Sequence, residues 1–232
     1  SEDIASAAGR ADFDPTEATT PPPGYHYLTE EPARSSSLCA PAIDFLVRRG
    51  MTEQKCAKAK IGVCLSGRFF GRIIIPVLGE DGTTWLGWIG RSWVKDAKIR
   101  YLYPRGMPRG EIFYNLDAVR EKTDVPLLVV EGSFDTNFEE DGAAVLGKPS
   151  RRQLQILVEE ATRPVVVVLD GDAWIESFAH MVDLRMMAHL SGLDRKFASL
   201  RLPPATDPAT LDWNMLRKAA KGELECTNHQ LQ

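Results

Sequence analysis

The sequence predicts an α/β protein in which a parallel sheet flanked by helices follows a smaller, basic region of mixed α+β structure. Segment 164–169 (PVVVVL) is a continuous apolar run, typical of a strand buried on both faces of a sheet. From residue 127 onwards, short apolar runs alternate with helix-like segments, which indicates parallel strands joined by right-handed crossovers. Between residues 72 and 91, two strand-like runs flank a glycine-containing turn and predict a hairpin.

The N-terminal half is predicted to contain two short helices before this hairpin. Residues 1–37 show little apolar periodicity and include clusters of Pro and Ser, so we expect a flexible arm or linker there. A helix is expected over 41–49, and Thr52 is a typical cap for a second helix that extends towards Ala59. The predicted strands of the hairpin are 72–77 and 85–91.

The C-terminal half is predicted to alternate strands and helices. Ser150 is a typical cap for a helix that reaches about Ala161, and a long helix is expected from Ala173 to about Ser191. A short helix is expected to end near Gly142. The predicted strands are 127–130, 144–146, 164–169 and 197–202. The predicted divisions are an arm at 1–37, a basic subdomain at 38–122, an α/β domain at 123–212 and a C-terminal helix and tail at 213–232.

The charges of the chain are strongly divided along its length. The 232 residues carry a net charge of −4, but segment 48–109 contains 13 basic and 4 acidic side chains, a net charge of +9. One part of such a chain can attract phosphate while another part holds metal. The alternative interpretation is a solvated basic face without a partner.

Composition also indicates the class of protein and its compartment. The chain has no apolar run of membrane-spanning length, and its first residues lack the basic start and apolar segment of a signal peptide. We therefore expect a cytoplasmic protein that does not bind membranes. The cysteines form no C-x-x-C pair, so reduced thiols are expected rather than a zinc ribbon or a disulfide framework. They are Cys39, Cys56, Cys64 and Cys226.

Acidic residues follow two of the predicted strands. Glu131 comes directly after 127–130, and Asp170 and Asp172 come directly after the apolar run 164–169. Because the carboxyl ends of parallel strands meet at one edge of a sheet, we expect these carboxylates to lie close together. Clustered carboxylates repel one another unless a cation neutralises them, and oxygen-only ligands favour Mg²⁺ or Mn²⁺. The alternative is that they are turn acids and helix caps.

The arrangement Glu131-Gly132-x-x-Asp135, followed later by Asp170-Gly171-Asp172, resembles the Toprim domain of bacterial and phage primases, topoisomerases and some small nucleases. The resemblance implies that Glu131 is a metal ligand or proton-transfer group and that Asp170 and Asp172 are the main metal ligands. Asp135 would be the acid that follows the first strand. Segment 202–208 resembles the primase segment in which an acid before proline, here Asp207, adds to the metal site.

The upstream half resembles the basic N-terminal half of the primase catalytic core, with its pieces in the family's order. The resemblance covers about residues 41–212 and implies synthesis of short RNA primers on a single-stranded DNA template from ribonucleoside triphosphates. For each arginine of this region, the alternative to a role in binding nucleotide or template is a surface salt bridge. The matching pieces are Arg49 to Thr52, Gly71 to Pro76, Gly90-Arg91, Arg100 to Leu102 and Phe113 to Leu116. Triphosphate and template need positive charge, and Arg91 and Arg100 rank first because they fall on positions like those of the family. The candidate nucleotide- and template-binding residues are Arg72, Arg91, Lys98, Arg100, Tyr101 and Arg105.

The sequence departs from the primase pattern in two respects. No Cys/His zinc module precedes the core, and the family's helicase or helicase-binding domain is not seen before the chain stops at Gln232. The resemblance therefore implies a fragment, or a primase that relies on a separate zinc-binding module and a replicative helicase. Trp174 stands where the family often has a small residue, and core packing is favoured for it over contact with a base.

Two other functions use the same features. A Toprim nuclease would cleave nucleic acid with the same acids, although it would not need the basic hairpin region. A non-catalytic module would bind nucleic acid or a replisome partner, but it would have no reason to retain clustered acids that cost stability. A topoisomerase is disfavoured because the chain is too short to supply a strand-passage gate.

Overall fold

The computed structural model describes residues 17–31, 33–94 and 96–229. They form an antiparallel five-stranded sheet followed by a parallel four-stranded sheet with flanking helices, which confirms the predicted fold class. The strands are β1 Tyr25–Tyr27, β2 Gly62–Cys64, β3 Arg72–Leu78, β4 Trp85–Ser92, β5 Tyr101–Leu102, β6 Leu127–Val130, β7 Gly142–Ala144, β8 Val165–Val167 and β9 Phe197–Ser199. The helices are α1 Ala40–Arg48, α2 Glu53–Lys58, α3 Asp117–Arg120, α4 Arg151–Glu160, α5 Trp174–Leu190 and α6 Trp213–His229. No helix in these ranges is long and apolar enough to cross a membrane.

The antiparallel sheet has the order β1-β2-β3-β4-β5, and the predicted hairpin forms its centre as β3 and β4. The prediction of a flexible arm is wrong for residues 25–27. These residues form the edge strand β1, which pairs with β2. The backbone at Gly62 makes this pairing possible, since a Cβ there would lie 2.3 Å from the carbonyl oxygen of His26. Residues 1–16 of the expected arm lie outside the described residues.

The parallel sheet has the order β7-β6-β8-β9, so β6 and β8 lie side by side at its centre. Alternate residues of β6 face different cores. Leu127 and Val129 pack with the helices of the C-terminal half, while Leu128 and Val130 belong to a core that also contains Ile73 of β3. This shared core packs the two sheets against each other and fixes the position of the parallel strand ends relative to the basic half.

Several predicted boundaries move by a few residues. Helices α4 and α5 form as predicted, and the Ser150 hydroxyl accepts a hydrogen bond from the backbone N–H of Gln153 at 3.0 Å. The strand predicted at 144–146 lies at Gly142–Ala144, and Leu146 adopts a left-handed backbone with a φ of 62° that cannot continue a strand. The short helix expected before it is a single 3-10 turn at Ser133–Thr136.

The C-terminal helix α6 is attached to the parallel sheet through one buried carboxylate. Asp141, which is 5% exposed, accepts a hydrogen bond from Nε1 of Trp213 at 2.8 Å and two from the Arg217 guanidinium at 2.6 and 2.9 Å. Burial would raise the pKa of Asp141, but the hydrogen bonds from Arg217 and Trp213 outweigh it and hold the pKa below its usual range. The charged form of Asp141 therefore stabilises the folded state.

Replacing Asp141 with asparagine is expected to lower the free energy of unfolding by about 2–4 kcal/mol at neutral pH, because Arg217 and Trp213 lose a charged acceptor. A carboxyl with a lowered pKa in the folded state stabilises above its unfolded pKa of about 4 and loses this effect as the pH falls. The difference in urea-unfolding free energy between wild type and Asp141→Asn should therefore shrink below about pH 4. The exposed Asp194→Asn is the control, and a difference that does not change with pH would contradict the charge argument.

Candidate active site

The carboxyl ends of three adjacent strands bring five acidic residues to one edge of the parallel sheet. Glu131 follows β6, and Asp170 and Asp172 follow β8 in a 3-10 turn that leads directly into α5. Asp135 lies in the 3-10 turn after β6, and Asp207 ends the loop that follows β9. This is the edge predicted from the sequence, and all five predicted acids lie there. Their role as metal ligands remains a prediction.

The turn that carries Asp170 and Asp172 is held directly against the loop that carries Asp207. The backbone N–H of Gly171 donates to the carbonyl of Thr206 at 2.8 Å, and the N–H of Ala205 donates to Oδ1 of Asp172 at 3.0 Å. Asp172 therefore accepts a hydrogen bond from a neighbouring loop. It does not cap the helix that begins after it, which was the alternative role predicted for it. These two hydrogen bonds fix the separation between the acids of β8 and Asp207.

The acids lie close enough to raise one another's pKa values. Burial, followed by the charge of Asp170, raises the pKa of Glu131. Burial, followed by the charges of Asp207 and Asp172, raises the pKa of Asp170. Asp135 is affected most, since burial and the neighbouring Asp207 raise its pKa to about 8, against the lowering effect of its hydrogen bond from the Gly132 N–H at 2.7 Å. The folded chain therefore gathers carboxyl groups whose charged forms disfavour one another, a cost that a bound cation would relieve.

The donor set of this cluster fits a hard divalent cation, because its members are carboxylates and the cluster contains no His or Cys. Within the described residues, no three His, Cys, Asp or Glu side chains already lie close enough together to hold a metal ion. Several carboxylates instead accept backbone hydrogen bonds, as Asp207 does from the N–H of Ala209 at 2.7 Å. Binding an ion would thus require these side chains to turn towards it.

Known structures share this arrangement of sheets. No protein-family model matches the chain, and no curated protein matches it significantly. The DnaG primase catalytic domain bound to single-stranded DNA aligns with a TM-score of 0.61 and 21% identity, over 82% of this chain and 72% of that chain. The chain has the fold of a DnaG primase catalytic core. This confirms, at the level of the fold, the resemblance carried by the acidic motifs.

Two further primase-core structures show the same fold. The RNA polymerase domain of Mycobacterium tuberculosis DnaG aligns with a TM-score of 0.62 and 17% identity, covering 82% of this chain and 77% of that chain. The zinc-binding and RNA polymerase domains of the Aquifex aeolicus primase align with a TM-score of 0.66 and 18% identity, covering 83% and 56%. At these identities the likeness establishes the primase-core fold, and the function has to be argued from the residues of this chain.

A buried arginine of the basic half lies within electrostatic range of Asp135, one acid of the cluster. Arg91 of β4 is 7% exposed, and its guanidinium lies 4.5 Å from the ring centroid of Tyr101 and 5.5 Å from that of Phe45. Among the described residues, its Nε and Nη1 have no hydrogen-bond partner. The carboxylate of Asp135 is near enough to oppose the lowering of the Arg91 pKa by burial. A buried cation with unpaired N–H groups is costly, which is consistent with a site that receives an anion.

The other predicted binding residues differ in whether their side chains are already engaged in contacts within the chain. Arg72 donates to the carbonyls of Gly90 at 3.1 Å and Ile99 at 2.9 Å, so it fixes the segment after β4, a role that the sequence did not indicate. Tyr101 is 38% exposed and covers the Arg91 guanidinium. Exposed side chains of the same region are Lys98, Arg100 and Arg105. The geometry thus favours Arg91 and Tyr101 over Arg72 as ligand-binding residues. The role of the whole set in binding nucleotide or template remains a prediction.

Sequence reasoning missed two cations near the acids. The guanidinium of Arg49 lies 5.1 Å from the ring of Phe134, next to Asp135 in the sequence, and influences the pKa of Arg91. Lys148 lowers the pKa of Glu131 while it pairs with Glu176 at 3.0 Å. The position of Lys148 shortly after β7, at the same sheet edge, was a signal that could have found it. Arg49 begins one of the segments that resemble the primase core, but its nearness to the acids could not be predicted, because only the packing of the two halves brings the end of α1 to the site.

Replacing Arg91 with methionine separates a binding role from a structural one. We expect the free energy of unfolding to stay constant or rise, because a buried, incompletely paired charge is removed. We expect the affinity for inorganic triphosphate, measured by calorimetry in Mg²⁺, to fall about tenfold. The control is Arg152→Met, which removes an exposed arginine that pairs with Glu159 at 3.4 Å. Strong destabilisation with unchanged triphosphate affinity would assign Arg91 a structural role instead.

Proposed function

We propose that the chain is the catalytic core of a DNA primase, which synthesises short RNA primers on single-stranded DNA. The proposal is carried by one observation: the buried, incompletely paired Arg91 lies within electrostatic range of Asp135, one of the acids at the carboxyl edge of the parallel sheet. Joining a nucleoside triphosphate to a primer end requires a cation for the phosphates close to carboxylates for metal and proton transfer. The primase-core fold supports this reaction over others that use the same acids.

In the proposed reaction, the residues divide into two groups. Arg91 and Arg100 hold the triphosphate, with Lys98 and Arg105 available to the template backbone and Tyr101 to a base or sugar. Glu131, whose pKa is raised by burial and by the charge of Asp170, accepts the proton of the attacking 3′-hydroxyl in this proposal, and pyrophosphate leaves from the triphosphate. A bound Mg²⁺ or Mn²⁺ would neutralise phosphate charge and acidify the hydroxyl. Its ligands would come from Asp135, Asp170, Asp172 and Asp207, while Glu131 would be a ligand only in the alternative in which it does not take the proton.

The partners in this proposal are single-stranded DNA, ribonucleoside triphosphates, a separate zinc-binding module and a replicative helicase, in the cytoplasm. One structural neighbour is bound to single-stranded DNA, and another includes a zinc-binding domain beside its RNA polymerase domain. Both observations concern those proteins and support the choice of partners for this one. The net charge of +9 in segment 48–109 gives a phosphate backbone a surface to bind.

The proposal is tested by incubating the chain with labelled ribonucleotides on mixed-sequence single-stranded DNA, with Mg²⁺ or Mn²⁺. Short RNA products that require both template and metal are the expected result. Degradation of the template without synthesis would identify a nuclease that uses the same acids. Binding of DNA with neither reaction, also when a zinc-binding module of a DnaG primase is supplied in trans, would identify a non-catalytic binding module.

A further inference from the structure

Trp174, the first residue of α5, is exposed beside the acid cluster instead of packing in the core. Its side chain is 38% exposed, and the guanidinium of Arg201 lies 4.5 Å from its ring centroid. Trp174 follows Asp172 by two residues, so their Cα atoms are at most about 7 Å apart. Arg201 follows β9, which ends at the same sheet edge. A stacked indole and guanidinium thus lie immediately next to the proposed catalytic acids.

A small cavity of about 270 Å³ opens beside this stacked pair. Its walls come from α5, from the residues that end and follow β9, and from Glu223 of α6. One wall is rigid, because Nε and Nη2 of Arg185 both donate to the carbonyl of Phe197, at 2.9 and 2.6 Å. The apolar part of the lining is Phe178, Met181, Ala198 and Leu200.

The size and chemistry of this cavity fit a flat heterocycle. Ligand pockets usually measure about 300–1,000 Å³, so this one suits a single ring system and not a complete nucleoside triphosphate. The indole and the apolar wall offer stacking and contact area, while Arg201 can donate hydrogen bonds to ring nitrogens or carbonyl oxygens.

We propose that Trp174 and Arg201 form a stacking site for the nucleobase of a nucleotide whose phosphate lies at the acid cluster. This inference rests on the proposed function, because the phosphate must be drawn to the neighbouring acids and arginines. The base belongs either to a free nucleoside triphosphate or to a nucleic-acid strand, since both present the same ring system. Stacking on an aromatic residue tolerates different bases, so the site adds affinity without strict sequence preference.

Binding measurements with and without the base test this inference. We compare GTP with inorganic triphosphate, and a labelled DNA oligonucleotide with an equally long abasic oligonucleotide, all in Mg²⁺. Trp174→Ala is expected to weaken binding of GTP, of the base-containing oligonucleotide, or of both by about tenfold, and to leave the base-free ligands unchanged. Trp174→Phe should restore most of the affinity. Ile175→Ala, which removes a neighbouring side chain that is 65% exposed and does not line the cavity, is the matched control.

The outcomes separate this inference from the proposed function. A loss confined to GTP assigns the site to the incoming nucleotide, and a loss confined to the oligonucleotide assigns it to a strand. Equal effects on ligands with and without a base, or no effect on any, would overturn the stacking site even if primers are made. Conversely, absence of primer synthesis together with base-dependent loss of affinity in Trp174→Ala would leave the site standing and remove the primase function.

Discussion

Replacing Asp170 and Asp172 together with asparagine is expected to reduce metal-dependent RNA synthesis by at least about three orders of magnitude, because neutral amides no longer hold a divalent ion against the reacting phosphates. The affinity for single-stranded DNA should persist or rise slightly, since the basic half is intact and two negative charges are gone. Primer synthesis on mixed templates and fluorescence anisotropy of labelled DNA measure the two quantities separately.

The same variant tests metal binding without any reaction. In the wild type, Mg²⁺ or Mn²⁺ at ten times its dissociation constant should stabilise the folded chain by about 1.4 kcal/mol, and Asp170→Asn/Asp172→Asn should lose this gain. Without metal, the variant should be as stable as the wild type or more stable, because burial and the repulsion by Asp207 and Asp172, which raise the pKa of Asp170, no longer act on a charged group there. Asp183→Asn/Asp194→Asn removes two exposed carboxylates as a control. Unchanged synthesis in the site variant would exclude these acids from catalysis.

The strand-end acids could be predicted because the pattern that places them is local. An apolar run such as 165–169 reads as a buried strand, and parallel strands fix which edge receives the residues that follow. Glu131 and Asp170 therefore come together by topology alone. The long helix α5 was equally predictable, since its length and its glycine stop lie within one segment.

Features that depend on distant partners could not be predicted in this way. Strand β1 has three residues and forms only because β2 offers an edge with a glycine where the chains approach. Arg72 and Arg91 are similar residues on neighbouring strands, yet one bonds two carbonyls and the other is buried with unpaired N–H groups. The sequence contains no sign of this difference, because it depends on the path of the segment after β4 and on the packing of α1.

Replacing Gly171 with alanine is expected to inactivate the site while every acid stays in place. A Cβ at Gly171 would lie 1.8 Å from the carbonyl oxygen of Pro203 and 2.8 Å from its carbonyl carbon. Those atoms belong to the backbone, so the loop that ends at Asp207 would have to move away from the turn between Asp170 and Asp172. Displacing catalytic groups by about 1 Å can cost about a hundredfold in rate. We expect a loss of that size or more in RNA synthesis.

The added methyl group should also cost about 1–3 kcal/mol of stability, as overpacking does elsewhere, so stability and activity must be separated. Gly192→Ala provides the comparison, because Gly192 has a φ of 66° and nothing within 4 Å of a new Cβ, and it lies at the far end of α5. It should lower the unfolding midpoint through backbone strain but leave synthesis per folded molecule unchanged. If Gly171→Ala loses no more activity than Gly192→Ala at equal folded fraction, the contact between turn and loop does not set the geometry of the acids. A selective loss in Gly171→Ala would instead show that backbone contact fixes the distance of Asp170 and Asp172 from Asp207. Such a contact can hold a cluster of mutually repelling carboxylates together before an ion binds.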